Sequence, residues 1–249
     1  MEKFTDYHFS DFTLENYKYL LKLGSENYQF TTFNDFSTKD NYIILRHDVD
    51  YSVHRALKMA KIESSLGIKS TYFFLLHSEF YNLFERSVAD KVEEIISLGH
   101  DIGLHFDSHF YKIPSEEVLI SKLTLEKDII ESFFSAKINS FCFHITNSYT
   151  INCNKEEYAG MINAFSYGFQ NNIGYCSDSN GYWRFSRLED VLTEQRYNKL
   201  QINTHPAWWQ DEVMAPKKRI LRSIYGRSER VIEAYNKILI KTGRDDIDE

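Results

Sequence analysis

Two aspartates stand at the end of an apolar run in the first quarter of the chain. The run 42–45 leads into Asp48 and Asp50, which are separated by a single residue. Side chains alternate between the two faces of a strand, so both carboxylates share a face if the extended conformation continues. Like charges held close together are tolerated mainly when a cation or a shared proton lies between them. The alternative is that Asp48 enters a helix, that Asp50 or Ser52 caps it, and that both carboxylates face water.

The histidines His105 and His109, in the stretch "HFDSH", form a second candidate group. A His-x₃-His spacing places both rings on one side of a helical turn, which suits a first-row metal ion. Together with Asp50 they offer two nitrogens and one carboxylate oxygen, a set that fits catalytic zinc with an open position for water. Cobalt, nickel and iron also fit such a set. The spacing alone identifies no site, because it also arises by chance in a chain with nine histidines.

Short apolar runs alternate with helical patterns along the chain. The runs predict strands at 28–33, 42–47, 70–76, 100–106, 138–144, 173–178 and 199–205. The patterns between them predict helices at 52–66, 84–98, 115–134, 187–197 and 218–241. Near-continuous apolar strands that alternate with helices indicate a parallel sheet buried on both faces. We therefore expect an α/β fold, a distorted (β/α)₇-type barrel with parallel strands, with an open doubly wound sheet as the alternative.

The composition is that of one folded domain over residues 1–249. No Gly/Ser/Pro-rich linker divides the chain, and 43% of its residues are apolar and 16% aromatic. We expect a catalytic core at about 40–210 and a C-terminal helix at about 218–241. The net charge is −7, and no basic run is longer than 217–219. A nucleic-acid partner is therefore not expected, because such binders show a clustered basic face.

The cysteines and the apolar segments bear on where the protein works. Three cysteines without CxxC spacing are typical of reduced thiols rather than of a disulfide framework. No segment approaches the roughly 20 apolar residues that span a bilayer, and the first residues carry no apolar signal region. We therefore expect a cytoplasmic protein without a transmembrane segment.

Titratable side chains collect at one end of the predicted strands. In parallel-sheet folds the active site lies at the carboxyl ends of the strands. Five predicted strands end in or just before such residues: Asp48 with Asp50, His105, His144, Asp178 and His205. Polar residues scattered at random would fall at the amino ends as often. The convergence therefore indicates a functional site at the carboxyl ends.

Four motifs, taken in order, resemble those of the polysaccharide deacetylases, the NodB-homology or carbohydrate esterase family 4 group. "HDVD" resembles the first motif, which would make Asp48 the general base and Asp50 a metal ligand. "HFDSH" resembles the second motif, whose histidines, here His105 and His109, are the other two ligands. "NTHPAWW" resembles the last motif, whose histidine, here His205, is the general acid.

The resemblance covers residues from about 40 to 210, with one departure. "SDSN" with Trp183 sits where the family has a fourth motif carrying an aspartate and an aromatic residue. The third motif of the family carries an arginine that orients the base, but that region here reads "FCFHITNSY". Arg184 or Arg187 from the next loop is expected to supply the missing cation, or His144 to take its place.

The resemblance implies a metal-dependent hydrolase that removes an N-acetyl group from an amino sugar. Zinc is the expected ion, with cobalt or nickel as alternatives. Phrases such as "GHDIGLHFD" resemble intracellular members linked to surface-polysaccharide gene clusters, which implies an N-acetylated sugar substrate that is nucleotide- or lipid-linked.

Further side chains receive roles from this mechanism. Asp178, if close, would raise the pKa of His205. Trp208 and Trp209 would offer a flat face to a sugar ring, or belong to the core. The alternative functions are hydrolysis of another C–N bond, such as a formamide or a cyclic amide, and carbohydrate binding without turnover.

Overall fold

The computed structural model describes residues 7–36 and 40–247. The domain prediction for 1–249 also includes 1–6, 37–39 and 248–249, which lie outside the described residues. The strands are β1 (Gln29–Thr31), β2 (Tyr42–Val49), β3 (Thr71–Leu75), β4 (Asp101–Phe106), β5 (Ser140–Phe143), β6 (Glu157–Tyr158), β7 (Met161–Asn163), β8 (Gly174–Ser177) and β9 (Lys199–Thr204). The α-helices are α1 (Leu14–Asn27), α2 (Val53–Ser65), α3 (Arg86–Ser97), α4 (Ser108–Tyr111), α5 (Glu116–Phe134), α6 (Tyr167–Asn171), α7 (Leu188–Thr193) and α8 (Pro216–Thr242). Short 3₁₀ helices cover Phe9–Phe12, Thr150–Asn152, Ser179–Gly181 and Pro206–Trp208.

All strands of the described ranges belong to one sheet. Its order is β6-β7-β5-β4-β3-β2-β9-β8, and β1 pairs with the first residues of β2. The pairings are parallel apart from the short antiparallel pair β6-β7. The sheet curls into a half-barrel, on whose concave side the ring centroid of Phe33 lies 5.7 Å from that of Phe73 and 5.3 Å from that of Phe169. The predicted α/β fold with a distorted (β/α)₇-type barrel is confirmed.

Strand β2 lies in the middle of the sheet and is buried along its whole length. Ile44 packs on the concave side with Phe73, whereas Ile43 and Leu45 pack on the opposite side beneath the helices. Alternation along the strand therefore places Asp48 on the concave side, where its carboxylate lies at the carboxyl end of the half-barrel.

The predicted helices are present, with bounds that differ by up to four residues from those expected. The side chain of Ser52 accepts a hydrogen bond from the amide of Arg55 and caps α2, and Ser115 caps α5 in the same way. Ser52 is therefore an N-cap, while the aspartates before it are buried. None of the helices in the described ranges is long and apolar enough to cross a membrane.

Helix α1 is an element that the sequence patterns above do not predict. Its buried residues Tyr17, Leu20, Leu21 and Gly24 have helical spacing, and the hydroxyl of Thr13 caps its first turn. This spacing of apolar residues is the sequence signal for the helix. Aromatic and polar residues between these positions, which are exposed in the structure, make the signal hard to recognise.

One carboxylate, Glu63, is completely buried between α2 and the convex side of the sheet. Its Oε1 accepts hydrogen bonds from the hydroxyls of Tyr17 (2.6 Å) and Tyr72 (2.9 Å), and its Oε2 accepts one from Ser70 (2.5 Å). His47 Nε2 lies 3.0 Å from Oε1. Burial by itself would raise the pKa of Glu63, but His47 and the hydrogen bonds lower it to about 2. The ionised carboxylate therefore holds α1, α2 and β3 together.

We expect Glu63→Gln to lower the free energy of unfolding by about 3 kcal/mol at pH 7. A lowered pKa stabilises the folded state above the ordinary value of 4.5, and this stabilisation is lost as the pH falls toward 2. Urea unfolding of both proteins from pH 7 to pH 3 should therefore show a gap that narrows below pH 4.5. The exposed Glu157→Gln is the control and should change stability by less than about 0.5 kcal/mol. A gap that stays constant with pH would contradict the ionised state of Glu63.

Candidate metal and catalytic site

Titratable side chains from five strands meet at one end of the sheet. Asp50 follows β2, His105 belongs to β4, His144 follows β5, Asp178 follows β8 and His205 follows β9. These strands run parallel, so the meeting place is the carboxyl end of each. Strand β2 ends at Val49, and the amide of Asp50 donates to the carbonyl of Asp48 (3.1 Å), so the second aspartate is reached through a tight turn rather than a continued strand.

Asp50, His105 and His144 bring three donor atoms together. His105 Nε2 lies 3.0 Å from Asp50 Oδ1, while His144 Nδ1 lies 3.2 Å from His105 Nε2 and 3.4 Å from Asp50 Oδ1. Ligands bound to a tetrahedral zinc ion at about 2.0–2.1 Å are about 3.3 Å apart. The three separations therefore fit a divalent ion, and the two nitrogens with one oxygen suit zinc, cobalt or nickel.

The other ring nitrogen of His105 faces Cys142. Nδ1 lies 3.1 Å from Cys142 Sγ and 3.4 Å from the carbonyl oxygen of the same residue, contacts that fix the orientation of the ring. Burial, and after it the charge of Asp48, raises the pKa of the Cys142 thiol. Asp48, His105 and Cys142 also form a group of possible ligands. Because the thiol stays protonated, it acts there as a hydrogen-bond donor.

The structure places His109 apart from the three-donor group. His109 is exposed on the one-turn helix α4, and it lines a cavity of about 410 Å³ together with Asp50 and His144. The rule that residues four apart share a helix face does not apply, because His105 still belongs to strand β4 and α4 begins only at Ser108. His144 occupies the third position, and the role of His109 as a ligand stays a prediction.

Asp48 is held by three side chains from three strands. Its Oδ2 accepts hydrogen bonds from Arg46 Nη2 (2.9 Å) and Asn203 Nδ2 (3.0 Å), and its Oδ1 accepts one from the thiol of Cys142 (3.4 Å). Burial alone would raise the pKa of Asp48, but Arg46 and then His105 and other charges hold it below its usual value. A nearly inaccessible carboxylate is thereby kept ionised beside the donor group.

Arg46 supplies the cation that the sequence motifs leave missing. It lies two residues before Asp48 on the same face of β2, is 1% exposed, and packs its guanidinium near the rings of Phe73 and Phe165. Side chains two residues apart in a strand lie on the same face, and this rule applied to β2 would have identified Arg46 from the sequence.

The two arginines that were expected in this role lie elsewhere. Arg187 donates to Asp11, and the guanidinium of Arg184 lies over the ring of Phe185. In the structure, the contact with Asp48 is made by Arg46 and not by Arg184 or Arg187.

His205 and Asp178 form a hydrogen-bonded pair on the other side of Asp50. His205 Nδ1 lies 2.6 Å from Asp178 Oδ1, and its Nε2 lies 4.0 Å from Asp50 Oδ2. Burial lowers the pKa of His205, but the hydrogen bond and charge of Asp178, with Asp50 and Asp48, raise it to about 9. The imidazole is thus protonated near neutral pH, and Nε2 carries a proton on the side that faces Asp50.

The tryptophans lie behind the site rather than in it. Trp209 is 0% exposed and donates its indole N–H to Asp178 Oδ2 (2.8 Å), so it supports the His205 pair and offers no free face to a sugar. Trp183 donates to Asp11, and Trp208 is buried with its ring centroid 5.4 Å from that of Tyr51.

Comparison with known proteins gives no match to a family model and none to a curated protein. Among solved structures, a family 4 carbohydrate esterase from Streptomyces lividans in complex with acetate is 15% identical, covering 76% of this chain and 90% of that one, with a TM-score of 0.45. The peptidoglycan deacetylase of Bacillus subtilis is 13% identical over 83% and 98% of the two chains, with a TM-score of 0.45.

A pseudoenzyme of carbohydrate esterase family 4 from Bacillus anthracis is 13% identical, with a TM-score of 0.43. The match covers 77% of this chain and 62% of that one, so the chain spans less than two thirds of the pseudoenzyme. The pseudoenzyme and the Streptomyces esterase carry the name of the family that the sequence motifs resemble.

We expect the purified chain to bind about one equivalent of zinc, cobalt or nickel. Asp50→Asn removes the negative charge of one ligand and His144→Ala removes a nitrogen donor, so each should weaken the affinity for the ion at least about tenfold, whereas His109→Ala should weaken it less. Mass spectrometry of the purified proteins, followed by metal titration, measures both effects. If His109→Ala lost the ion while His144→Ala kept it, the third ligand would be His109 as the motif implies. Failure of the unmodified chain to take up any of these ions would contradict the site.

Proposed function

We propose that this protein is a metal-dependent carbohydrate deacetylase, which hydrolyses the N-acetyl amide of an amino sugar. The observation that carries the proposal is the different surroundings of two neighbouring carboxylates. Asp50 faces two histidine nitrogens, while Asp48 is paired with Arg46. In such a pair, one carboxylate binds the metal ion and the other accepts a proton as the base. The facing pair of His205 and Asp178 supplies an acid.

A divalent ion held by Asp50, His105 and His144 would lower the pKa of a water molecule and polarise the amide carbonyl. Asp48 receives a proton in this scheme. Its Oδ2 is occupied by Arg46 and Asn203, whereas its Oδ1 meets only the weak thiol donor of Cys142. Oδ1 is therefore the more basic oxygen and the one that takes the proton of the attacking water.

His205 delivers a proton to the leaving amine. Asp178 holds Nδ1 and fixes the ring, so that the proton on Nε2 faces the side of Asp50. Because the pKa of His205 is raised to about 9, the ring is charged when the amide nitrogen needs a proton.

The cavity of about 410 Å³ beside Asp50 is the proposed place of the sugar. Its wall contains the aromatic side chains of Tyr51, Phe80 and Phe110 together with the hydroxyl of Ser78. Apolar faces with a few polar groups suit a sugar ring. The N-acetylated sugar is nucleotide- or lipid-linked and belongs to surface-polysaccharide synthesis in the cytoplasm, as the sequence resemblance implies.

Carbohydrate binding without turnover is the rival from a different class. The absence of a motif-three arginine favours that rival, and the contact of Arg46 with Asp48 favours turnover. Hydrolysis of another C–N bond remains an alternative on the same residues, since a formamide or cyclic amide presents the same carbonyl and nitrogen.

Asp48→Asn should lower kcat for acetate release by about 10²–10⁴ while leaving the metal content unchanged. An amide cannot take the proton of the water, but it keeps the shape of the carboxylate. The assay compares acetate and formate release from free and nucleotide-linked N-acetyl and N-formyl sugars. The exposed Asp128→Asn is the matched control and should keep full activity. Unchanged turnover in Asp48→Asn would contradict the assignment of the base.

Arg46→Met should lower kcat by about 10–100-fold with little change in KM, because Asp48 loses its charged hydrogen-bond donor. Arg184→Met and Arg187→Met, which lie away from Asp48, should leave kcat within about twofold. Steady-state kinetics of the three variants, with circular dichroism to verify folding, distinguish the cations. If Arg184→Met lowered kcat as much as Arg46→Met, the cation that orients Asp48 would be Arg184 on the loop and not Arg46.

A further inference from the structure

A second cavity, of about 650 Å³, lies between the start of α2, α3 and the C-terminal helix α8. We call this cavity the basic cleft, because five cationic side chains and one carboxylate line it. The cations are Arg55, Lys58, Lys218, Arg222 and Arg230, and the carboxylate is Glu229. The whole chain carries a net charge of −7, whereas α8 carries eight Lys and Arg against two Glu. Three of these eight cations line the cleft together with Arg55 and Lys58, in a protein that is acidic as a whole.

Among the described residues, two of these cations have no carboxylate within ion-pair distance. Lys58 and Arg55 share Asp211, and Arg222 pairs with Glu212. Within the described part of the chain, Lys218 and Arg230 make no ion pair. Cations without a close ion-pair partner around a concave wall focus a positive potential and attract anions.

His54, on the wall of the cleft, is affected by the same positive charges. Burial, and after it the charges of Arg230 and Lys91, lower its pKa to about 4, against a smaller opposing effect of Glu85. The neutral ring and the free cations together make a wall that favours a bound anion over a bound cation.

The basic cleft adjoins the proposed sugar cavity. Tyr51 and Phe80 line both, with their rings edge to face at 4.7 Å between centroids. Tyr51 also directly follows Asp50 in the chain. The two cavities are therefore neighbours that share these two aromatic rings as a wall.

We propose that the basic cleft binds the diphosphate group of a phosphorylated sugar carrier, whose sugar occupies the cavity beside Asp50. The assignment of the sugar rests on the proposed function, whereas diphosphate binding stands on the cleft itself. Lys218 holds phosphate oxygens through charge-assisted hydrogen bonds, and Arg230, about 18 Å further along α8, adds to the positive potential of the cleft. The diphosphate comes from a nucleotide or from a lipid carrier, both of which join the sugar through the same group.

Calorimetric titration of the full chain with inorganic pyrophosphate tests the proposal. Removing both free cations, in Lys218→Gln/Arg230→Gln, should weaken pyrophosphate binding at least about tenfold. The control Lys217→Gln/Lys237→Gln removes the same charge from α8 outside the cleft and should bind within about twofold of the unmodified chain. Asp50→Asn should also bind pyrophosphate normally, because the anion does not sit on the metal site. No binding, or equal losses in the cleft and control variants, would overturn the proposal, as would loss in Asp50→Asn.

Two further ligands identify the source of the diphosphate. Tighter binding of uridine diphosphate than of pyrophosphate, lost in the cleft variant, supports a nucleotide carrier. Binding to neutral vesicles only when they contain a polyprenyl diphosphate supports a lipid carrier. Binding to anionic vesicles that lack diphosphate, without binding of pyrophosphate, would overturn the proposal in favour of a membrane surface. Pyrophosphate binding without any deacetylase activity would support the assignment of the cleft and refute the proposed function. Deacetylase activity without pyrophosphate binding would support the proposed function and refute the assignment of the cleft.

Discussion

The site depends on the compensation of two carboxylates that are buried side by side at the end of β2. Asp48 and Asp50 are 4% and 9% exposed, and an uncompensated charge in such a place would destabilise the fold by several kcal/mol. Arg46 compensates the first with a charge that does not titrate, while His105 and His144 surround the second with nitrogens. Because one carboxylate faces a permanent positive charge and the other faces histidine nitrogens, the two carboxylates have different chemical surroundings although they are close together.

The convex side of β2 carries a second polar network, and the two sides of the sheet are connected. His47, next to Asp48 but on the opposite face, contacts Glu63 with one nitrogen and the hydroxyl of Thr204 with the other (2.7 Å). Thr204 immediately precedes His205, whose backbone N–H donates to Asp178. The buried network therefore fixes the end of β9, and through it the direction in which the ring of His205 points.

Much of this arrangement follows from the sequence, because periodicity and chain direction are local properties. Alternation along β2 places Asp48 on the concave side, and parallel strands bring His205 and Asp178 to the same end. The third donor depends on lateral register instead: Cys142 pairs with His105, and His144 lies two residues further along. No spacing within one segment encodes that register, so the sequence favours His109 over His144.

The tryptophans show a second kind of limit. Whether an aromatic residue faces a ligand or the core depends on what covers it. Trp209 is covered by Phe12 and Tyr17 from the N-terminal segment, whose ring centroids lie 5.3 and 5.0 Å from its own. These contacts join residues almost two hundred positions apart, and composition or motif spacing does not reveal them.

The position of Arg46 also explains a small residue on β5, a strand that β3 and β4 separate from β2 in the sheet. Arg46 reaches Asp48 along its own strand, with its guanidinium 5.7 Å from the ring centroid of Phe73 and 5.3 Å from that of Phe165. The facing residue on the other side of Asp48 is Cys142, which fills little space and donates to the carboxylate. A second long cation at position 142 would compete with Arg46 for the same oxygens and place two like charges in one buried space. The arginine on β2 and the thiol on β5 are therefore complementary: Arg46 supplies the counter-charge of Asp48, and Cys142 is small enough to leave room for it.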